Sequence, residues 1–450
     1  MTAAARLDAL PLEELEEEVI FSEWRALRAV SSRSLQRTAA LLEALGVDPQ
    51  RSPAPILGVV GSKGKGTAAA YASAALAARG VRVGTVMSPG AVSNADRIRV
   101  DGQAADARAR RRALLRIAEA VRGLPKPTAS SGYLAPTGLF IVMAMLIFAE
   151  EQVEAVVAEA GIGGGSDDLS HWPLTAVVVT GIFAEHLDIL GPTVADVARD
   201  KAAVIRPGTG LVVSLPQSAQ VHQIVQEACT SAGARLLTAS PQATALVAHL
   251  PAGYARDNAA AGLTAGFALP VPAAGATPAA AEAVVGSVHY PGRLSVHDAG
   301  SGGRVVVDSA VSADGLAGAR RFAAAELDGL DQVLVCLPPS KDLDGFVHQL
   351  EDFSGPKVFV ELPGAYIGVP DRGQWPDAPG WHWLRLEDLG ESGVHAAPGS
   401  AQLAETLDRR RSLAVGTVLF TSLVLRTLRA EAGRLFVPPG QDVTAGGTRR

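Results

Sequence analysis

The chain has 450 residues, of which 48% are hydrophobic and 19% charged, with a formal net charge of -6. Such a length exceeds one ordinary hydrophobic core, so two domains are expected, and the composition is that of a folded protein. The acidic surplus argues against a general nucleic-acid binder. The two cysteines, Cys229 and Cys336, are too few and too far apart for a disulfide framework or a cysteine-built zinc site, which makes a reducing cytoplasm the expected compartment.

In chain order, Leu12 to Leu27 and Ser34 to Leu45 are expected to be helices, the second closing at Gly46. The first twenty residues are acidic, the opposite of a signal peptide. Ile56 to Val60 is a short apolar run expected to be a buried strand, followed by a glycine loop and an alanine-rich helix from Thr67 to Arg79. Val81 to Val86 makes the next strand, completing a βαβ unit. The run Gly138 to Ala149 is too short to span a membrane and is expected inside a buried helix, Leu139 to Glu151. Strands at Ala155 to Glu159, Ala176 to Thr180 and Gly210 to Ser214, with a helix from Val194 to Ile205, continue the alternation. Such alternation predicts a mostly parallel sheet covered on both faces. The Ala/Pro/Gly-rich stretch at about 268–290 is expected to be a linker. It would separate a larger domain at 1–290 from a smaller α/β domain at 291–437, with strands at Arg304 to Val307 and Val333 to Leu337. The tail 438–450 is polar and glycine-rich and is expected to be disordered.

The loop Gly61-Ser62-Lys63-Gly64-Lys65-Gly66-Thr67 has the parts of a phosphate cradle. Glycines let backbone N–H groups approach an anion, and the following helix turns its positive end toward it. Lys65 is placed to reach the β- and γ-phosphates and Thr67 to offer a hydroxyl to Mg²⁺. The loop departs from the general phosphate-loop pattern: Val59 holds the first glycine position and Gly66 separates Lys65 from Thr67.

That odd glycine carries a resemblance. Val59 to Thr67 resembles the G-T-N-G-K-G-S loop of folylpolyglutamate and dihydrofolate synthases, within the Mur ligase superfamily. Ser88 to Val92 and Asp96 to Gly102 resemble the family's S-P-H-L and E-R-I-R-x-N-G. Glu159 to Asp167 is similar to E-x-G-L-G-G-R-x-D, and Thr180 to Gly191 to T-N-I-G-x-D-H-x-x-x-L-G. Asp200 to Gly208 resembles E-K-A-G-I-I-K-P-G, Pro291 to Arg293 the family's P-G-R, and Ser340 to Gly345 its S-D-K-D-x-x-G.

The resemblance implies an α/β fold: an N-terminal P-loop, Mur ligase-like domain built on a mostly parallel sheet, and a smaller C-terminal, Rossmann-like domain. It further implies an enzyme that joins a carboxylate to an amine through an acyl phosphate, releasing ADP and phosphate. On these matches Thr67, Glu159 and His186 are the implied Mg²⁺ ligands. Lys201 is implied to be carbamylated, giving a carboxylate for a second Mg²⁺. Asn258 is implied to touch adenine, and Arg293 and Asp308 to serve the nucleotide, with Lys65, Lys201 and His186 as the catalytic set. The implied partners are a small-molecule carboxylate and an amine such as an amino acid, with neither nucleic acid nor membrane. Composition leaves the oligomeric state unstated.

Several family positions are changed. Asp308 to Ser312 replaces D-G-A-H-N, so Val311 and Ser312 stand for a histidine and an asparagine. Tyr254-Ala255 replaces H-Q, Gly90 the histidine of S-P-H, and Gly165 an arginine. Ala135 to Gly138 stands for T-x-F-E. Retained phosphate and metal residues beside altered substrate residues favour a ligase acting on an acid other than folate. Two other readings stay open: the folate enzyme itself, and a nucleotide-binding pseudoenzyme or regulatory subunit.

Overall fold

Ile56–Val60 (β1) is buried at all of its positions because a strand lies on each side of it and helices cover both faces. The computed structural model describes residues 3–52, 54–273, 275–362, 381–387 and 399–441. Around β1 stand β2 (Val83–Val86), β3 (Ile98–Val100), β4 (Gln103–Ala104), β5 (Ala155–Glu159), β6 (Ala176–Val179), β7 (Leu211–Ser214) and β8 (Arg235–Leu237). Their order is β4-β3-β2-β5-β1-β6-β7-β8, parallel except where β3 pairs antiparallel with β2 and β4. β1, β5 and β6 are apolar almost throughout, the pattern required of strands shielded on both sides.

The helix Lys65–Ala78 is buried nearly all round. Its alanines allow the helix Tyr254–Ala268 to approach closely, with Gly262 against the backbone of Ala68 and Gly266 against Ala72. A helix apolar on every side has to lie inside the protein, and small residues are what let two such helices pack backbone to backbone. Pro136–Glu150 is the buried apolar helix expected from sequence. It begins three residues earlier than Leu139 because Pro136 takes the first helical position. Among the described residues no helix is long and apolar enough to cross a membrane.

The second sheet contains β9 (Ser295–Ala299), β10 (Gly303–Asp308), β11 (Gln332–Cys336), β12 (Lys357–Glu361), β13 (Trp381–Arg385) and β14 (Arg411–Gly416). Its order is β13-β12-β11-β14-β10-β9, parallel except for β9. One face is packed by Phe420, Leu423 and Val424, the other by Leu316, Ala319 and Phe346. The chain thus combines an eight-stranded, mostly parallel α/β sheet unit with a smaller, six-stranded α/β unit.

The first compact unit takes the chain up to Pro89, then Arg97–Val288 and the segment from Arg434; the second takes Gly90–Asp96 and His289–Gly433. The stretch expected to be a linker holds a helix, Pro278–Gly286, with Ala281, Val284 and Val285 buried. Thr277 caps it by accepting from the Ala280 N–H. Thr followed by Pro is a helix start, and here it overrides a composition that also suits flexible chain. Of the tail, residues 442–450 lie outside the described residues.

Candidate active site

Strand β1 delivers the chain to Gly61 and Gly64, whose φ angles of +140° and +89° suit glycine. A Cβ on Gly61 would run into the Thr180 hydroxyl, and one on Gly64 into the Asn258 carboxamide. Gly64 is the residue before the helix Lys65–Ala78, and no side chain caps that helix start. An uncapped N-terminus behind a glycine loop is an anion site, with N–H groups and the positive helix end facing one direction. Ser62 fixes the loop from behind. Its N–H donates to Gly181 O at 2.8 Å, and its hydroxyl bonds the backbone O and N–H of Phe183, each at 3.2 Å. Lys65 Nζ donates to Gly61 O at 2.9 Å, so the lysine lies folded along its own loop. Thr67 stands in the first turn, partly exposed.

Lys201 meets the same carbonyl. Its Nζ donates to Gly61 O at 2.8 Å and to Glu185 Oε1 at 2.9 Å, with only 1% of its side chain exposed. The helix Val194–Ala202 that carries it starts in a capping box between Thr193 and Asp196, which fixes where its last turn falls. Burial, and next the Lys65 charge, lower the pKa of the Lys201 amine, while Glu185 opposes that shift. Burial works against the Glu185 charge, but Lys201 and Lys65 hold its carboxyl below the usual range. In this arrangement Lys201 is an ammonium in an ion pair.

Glu185 stands where the family motif T-N-I-G-x-D-H has its aspartate, and no motif in the sequence states its pairing with Lys201. Asp200 was missed as well. Its carboxylate accepts from the N–H groups of Gly164 and Ser166 at 2.8 and 3.2 Å, and its carbonyl from that of Gly165 at 2.7 Å. Adjacent residues on one helix therefore hold two loops, the glycine loop through Lys201 and the 164–166 loop through Asp200. The sequence signal was the neighbouring Asp-Lys pair itself.

Glu159 ends β5 in register with Val59 and is buried, its Oε2 accepting from the Ser88 N–H at 3.0 Å. His186 sits at φ 47°, just before the short helix Leu187–Leu190. Phe183, Leu187 and Ile189, three of the four large apolar side chains that stand well exposed among the described residues, flank Glu185 and His186. Among the described residues no three His, Cys, Asp or Glu side chains gather into a closed metal cage. Asn258 Nδ2 donates to Tyr254 O at 2.5 Å, leaving its buried Oδ1 without a partner among the described residues.

Some altered positions have local reasons. A Cβ on Gly138 would collide with the Asp168 carboxyl, which fills the space at the start of the helix Pro136–Glu150. A side chain on Gly90 would meet Ser93 O, and one on Gly165 would press on Ala203. Asp167 accepts from the N–H groups of Gly161, Ile162 and Leu169, and Arg33 bonds Ile162 O and Ser166 Oγ, so the loop after β5 is held from both sides.

In the second unit, Asp308 ends β10 and accepts from Leu294 N and Ala310 N, both at 2.9 Å. Arg293 lies over the Tyr290 ring at 4.9 Å. Ser312, where the family asparagine would be, caps the helix Ala313–Glu326 by accepting from the Gly315 N–H.

No protein-family profile matches the chain. It is 35% identical over 187 residues to a probable bifunctional folylpolyglutamate synthase/dihydropteroate synthase of Halobacterium salinarum, covering 41% of this chain and 22% of that protein. To the dihydrofolate synthase/folylpolyglutamate synthase of Escherichia coli it is 30% identical over 195 residues, 43% of this chain and 44% of that one. The chain thus spans less than half the length of these curated relatives. A solved Mycobacterium tuberculosis folylpolyglutamate synthase complexed with ADP and AMPPCP superposes with a TM-score of 0.70 at 20% identity, covering 92% of this chain and 99% of the other. The Thermotoga maritima folylpolyglutamate synthase gives a TM-score of 0.68 at 16% identity, covering 93% and 98%.

Proposed function

We propose that this chain, a divergent member of the folylpolyglutamate synthase and dihydrofolate synthase family of the Mur ligase superfamily, uses ATP to join a carboxylate to an amine. One observation carries the reading: the uncapped helix start at Lys65, with two buried or part-buried lysines converging on the Gly61 carbonyl beside it. Such a cluster answers the negative charge that accumulates when a carboxylate meets a γ-phosphate. A carboxylate oxygen attacks the γ-phosphorus, ADP leaves, and an acyl phosphate forms. The amine then attacks the acyl carbon, phosphate departs with that oxygen, and the amine proton is lost.

In this reading Lys65 and Lys201 neutralise phosphoryl charge, and the orphaned Asn258 Oδ1 accepts from an amino group such as that of adenine. Arg293 and Asp308 serve the nucleotide, as the resemblance implies. Mg²⁺ would be held by Thr67, Glu159 and His186 together with phosphate oxygens and water. An open set of this kind suits an ion that keeps much of its hydration. A second Mg²⁺ site would need Lys201 as its carbamate, and there the metal ion would supply the neutralising charge in place of the ammonium. Burial and Lys65 favour the neutral amine that carbon dioxide requires, and Glu185 has to release it.

For the acid, the relatives favour a folate-type substrate: their names are those of folate ligases, and the expectation of a different acid gains no support from them. The exposed Phe183, Leu187 and Ile189 suit an acid with a flat apolar body better than a small polar one. Complementation of a strain lacking folylpolyglutamate synthase tests the substrate. Growth without folate end-products supports a folate acid, and failure to grow with a soluble, ATP-binding protein points to another acid.

A further inference from the structure

The turn from Tyr290 to Leu294 places Gly292 at φ +77° and Leu294 at φ +49°, and its polar groups are tied down one by one. The Gly292 N–H donates to Ser295 Oγ at 2.8 Å, and Ser295 Oγ bonds His297 Nε2 at 2.7 Å. The Leu294 N–H is taken by Asp308. Gly292 O accepts from the Ser309 N–H and from its hydroxyl, both at 3.1 Å.

Ser309 does something more. Arg293 Nη1 donates to Ser309 Oγ at 2.6 Å and to Gly292 O at 2.8 Å, while the guanidinium face rests on Tyr290. Ser309 is 1% exposed, and its hydroxyl also lies 3.1 Å from Thr421 Oγ1, so it cannot swing away without abandoning several partners. One corner of the guanidinium is therefore committed to the protein. Among the described residues, its Nε and Nη2 donate to no partner. Those two nitrogens form the edge that grips two oxygens of a phosphate side by side.

We propose that Ser309 is a positioning residue: its hydroxyl fixes the Arg293 fork so that the Nε/Nη2 edge is set in advance for a phosphate group. A glycine or alanine at 309 would leave Arg293 held only by Gly292 O and the Tyr290 ring, free to turn about its last torsions. Fixing a fork before the ligand arrives removes ordering cost from binding, so the gain is in affinity and not in the chemical step. The inference rests on the proposed contact between Arg293 and ATP.

The test is calorimetric binding of MgATP, with the apparent KM for ATP measured alongside, for Ser309→Ala, Arg293→Ala and the double variant. Ser309→Gly serves as a second replacement if alanine disturbs the packing. Arg293→Ala is expected to weaken ATP binding more than tenfold, and Ser309→Ala by about three- to tenfold, the worth of one hydrogen bond. For Ser309→Ala the loss should fall on ATP binding and on the KM for ATP, with kcat at saturating ATP reduced far less. In the Arg293→Ala background, Ser309→Ala should weaken binding no further. An equal loss in both backgrounds would make the effect structural and overturn the proposal. So would unchanged affinity in Ser309→Ala when Arg293→Ala has lost it. If Arg293→Ala itself binds ATP like the parent, the nucleotide contact fails, and the positioning role falls with it.

Discussion

Lys201 and Glu185 form a buried ion pair, Nζ to Oε1 at 2.9 Å, and the same Nζ holds the Gly61 carbonyl of the glycine loop at 2.8 Å. An arm on the helix Val194–Ala202 thus reaches the loop that follows β1, 140 residues earlier in the chain. The pair ties the geometry of the glycine loop to that of the 185–186 segment.

Removing either partner leaves a buried charge unpaired, which costs about 3–5 kcal/mol. Lys201→Met and Glu185→Gln should each lower unfolding free energy by about this amount, less for Lys201→Met, which leaves Glu185, 11% exposed, as the unpaired charge. The double variant should recover part of the loss. Denaturant titration checks it, and fully additive losses would show that the pair carries no coupling.

Carbamylation of Lys201 has a direct readout. Protein equilibrated with ¹³C-bicarbonate and MgATP should show one carbamate carbon signal that Lys201→Ala lacks. A spectrum without that signal would leave Lys201 unmodified beside Glu185 and remove the second Mg²⁺ site from the proposal.

Lys65 donates only to the loop carbonyl of Gly61 among the described residues, so its loss should affect catalysis far more than folding. Lys65→Ala is expected to lower kcat/KM for ATP by about 10²–10³-fold with little change in melting temperature. Steady-state kinetics and a thermal melt separate the two. Gly64→Ala should fail differently. Its φ of +89° and the Asn258 carboxamide above it add strain of about 1–3 kcal/mol, so stability and ATP binding should fall together.

Asp168 should give the chain a pH dependence away from the glycine loop. Burial, and then the Asp167 charge, push its carboxyl up to about 7. In the unfolded chain the same group titrates near about 3.9. Between those values the folded protein keeps a proton that the unfolded chain has released. The stability this supplies is full below the lower value and is lost as pH rises through about 7. Melting temperatures measured from pH 4 to 8 should therefore fall more steeply for the parent than for Asp168→Asn. Parallel curves would mean that Asp168 is ionised throughout.

Much of the first unit was legible because its signals are local. Apolar runs bounded by glycines fixed β1, β5 and β6, and the extra glycine after Lys65 pointed to one ligase family. What escaped was long-range. Glu185 and Lys201 are sixteen residues apart, and nothing in either motif states that one side chain reaches the other. The Asp168 carboxyl occupies the space left by Gly138, a compensation visible only once both sit at the same helix start. The helix Pro278–Gly286 was hidden for another reason: alanine and proline suit a helix start and a linker equally, and burial of Val284 and Val285 decides between them.

The central claim is that an acyl phosphate forms at the loop held by Lys65 and Lys201. Supplying the folate-type acid with ¹⁸O in its carboxylate, together with glutamate and MgATP, tests it most directly. One ¹⁸O should pass to the released phosphate, with ADP formed in step with the amide. Unlabelled phosphate, or AMP and pyrophosphate in place of ADP, would contradict the account.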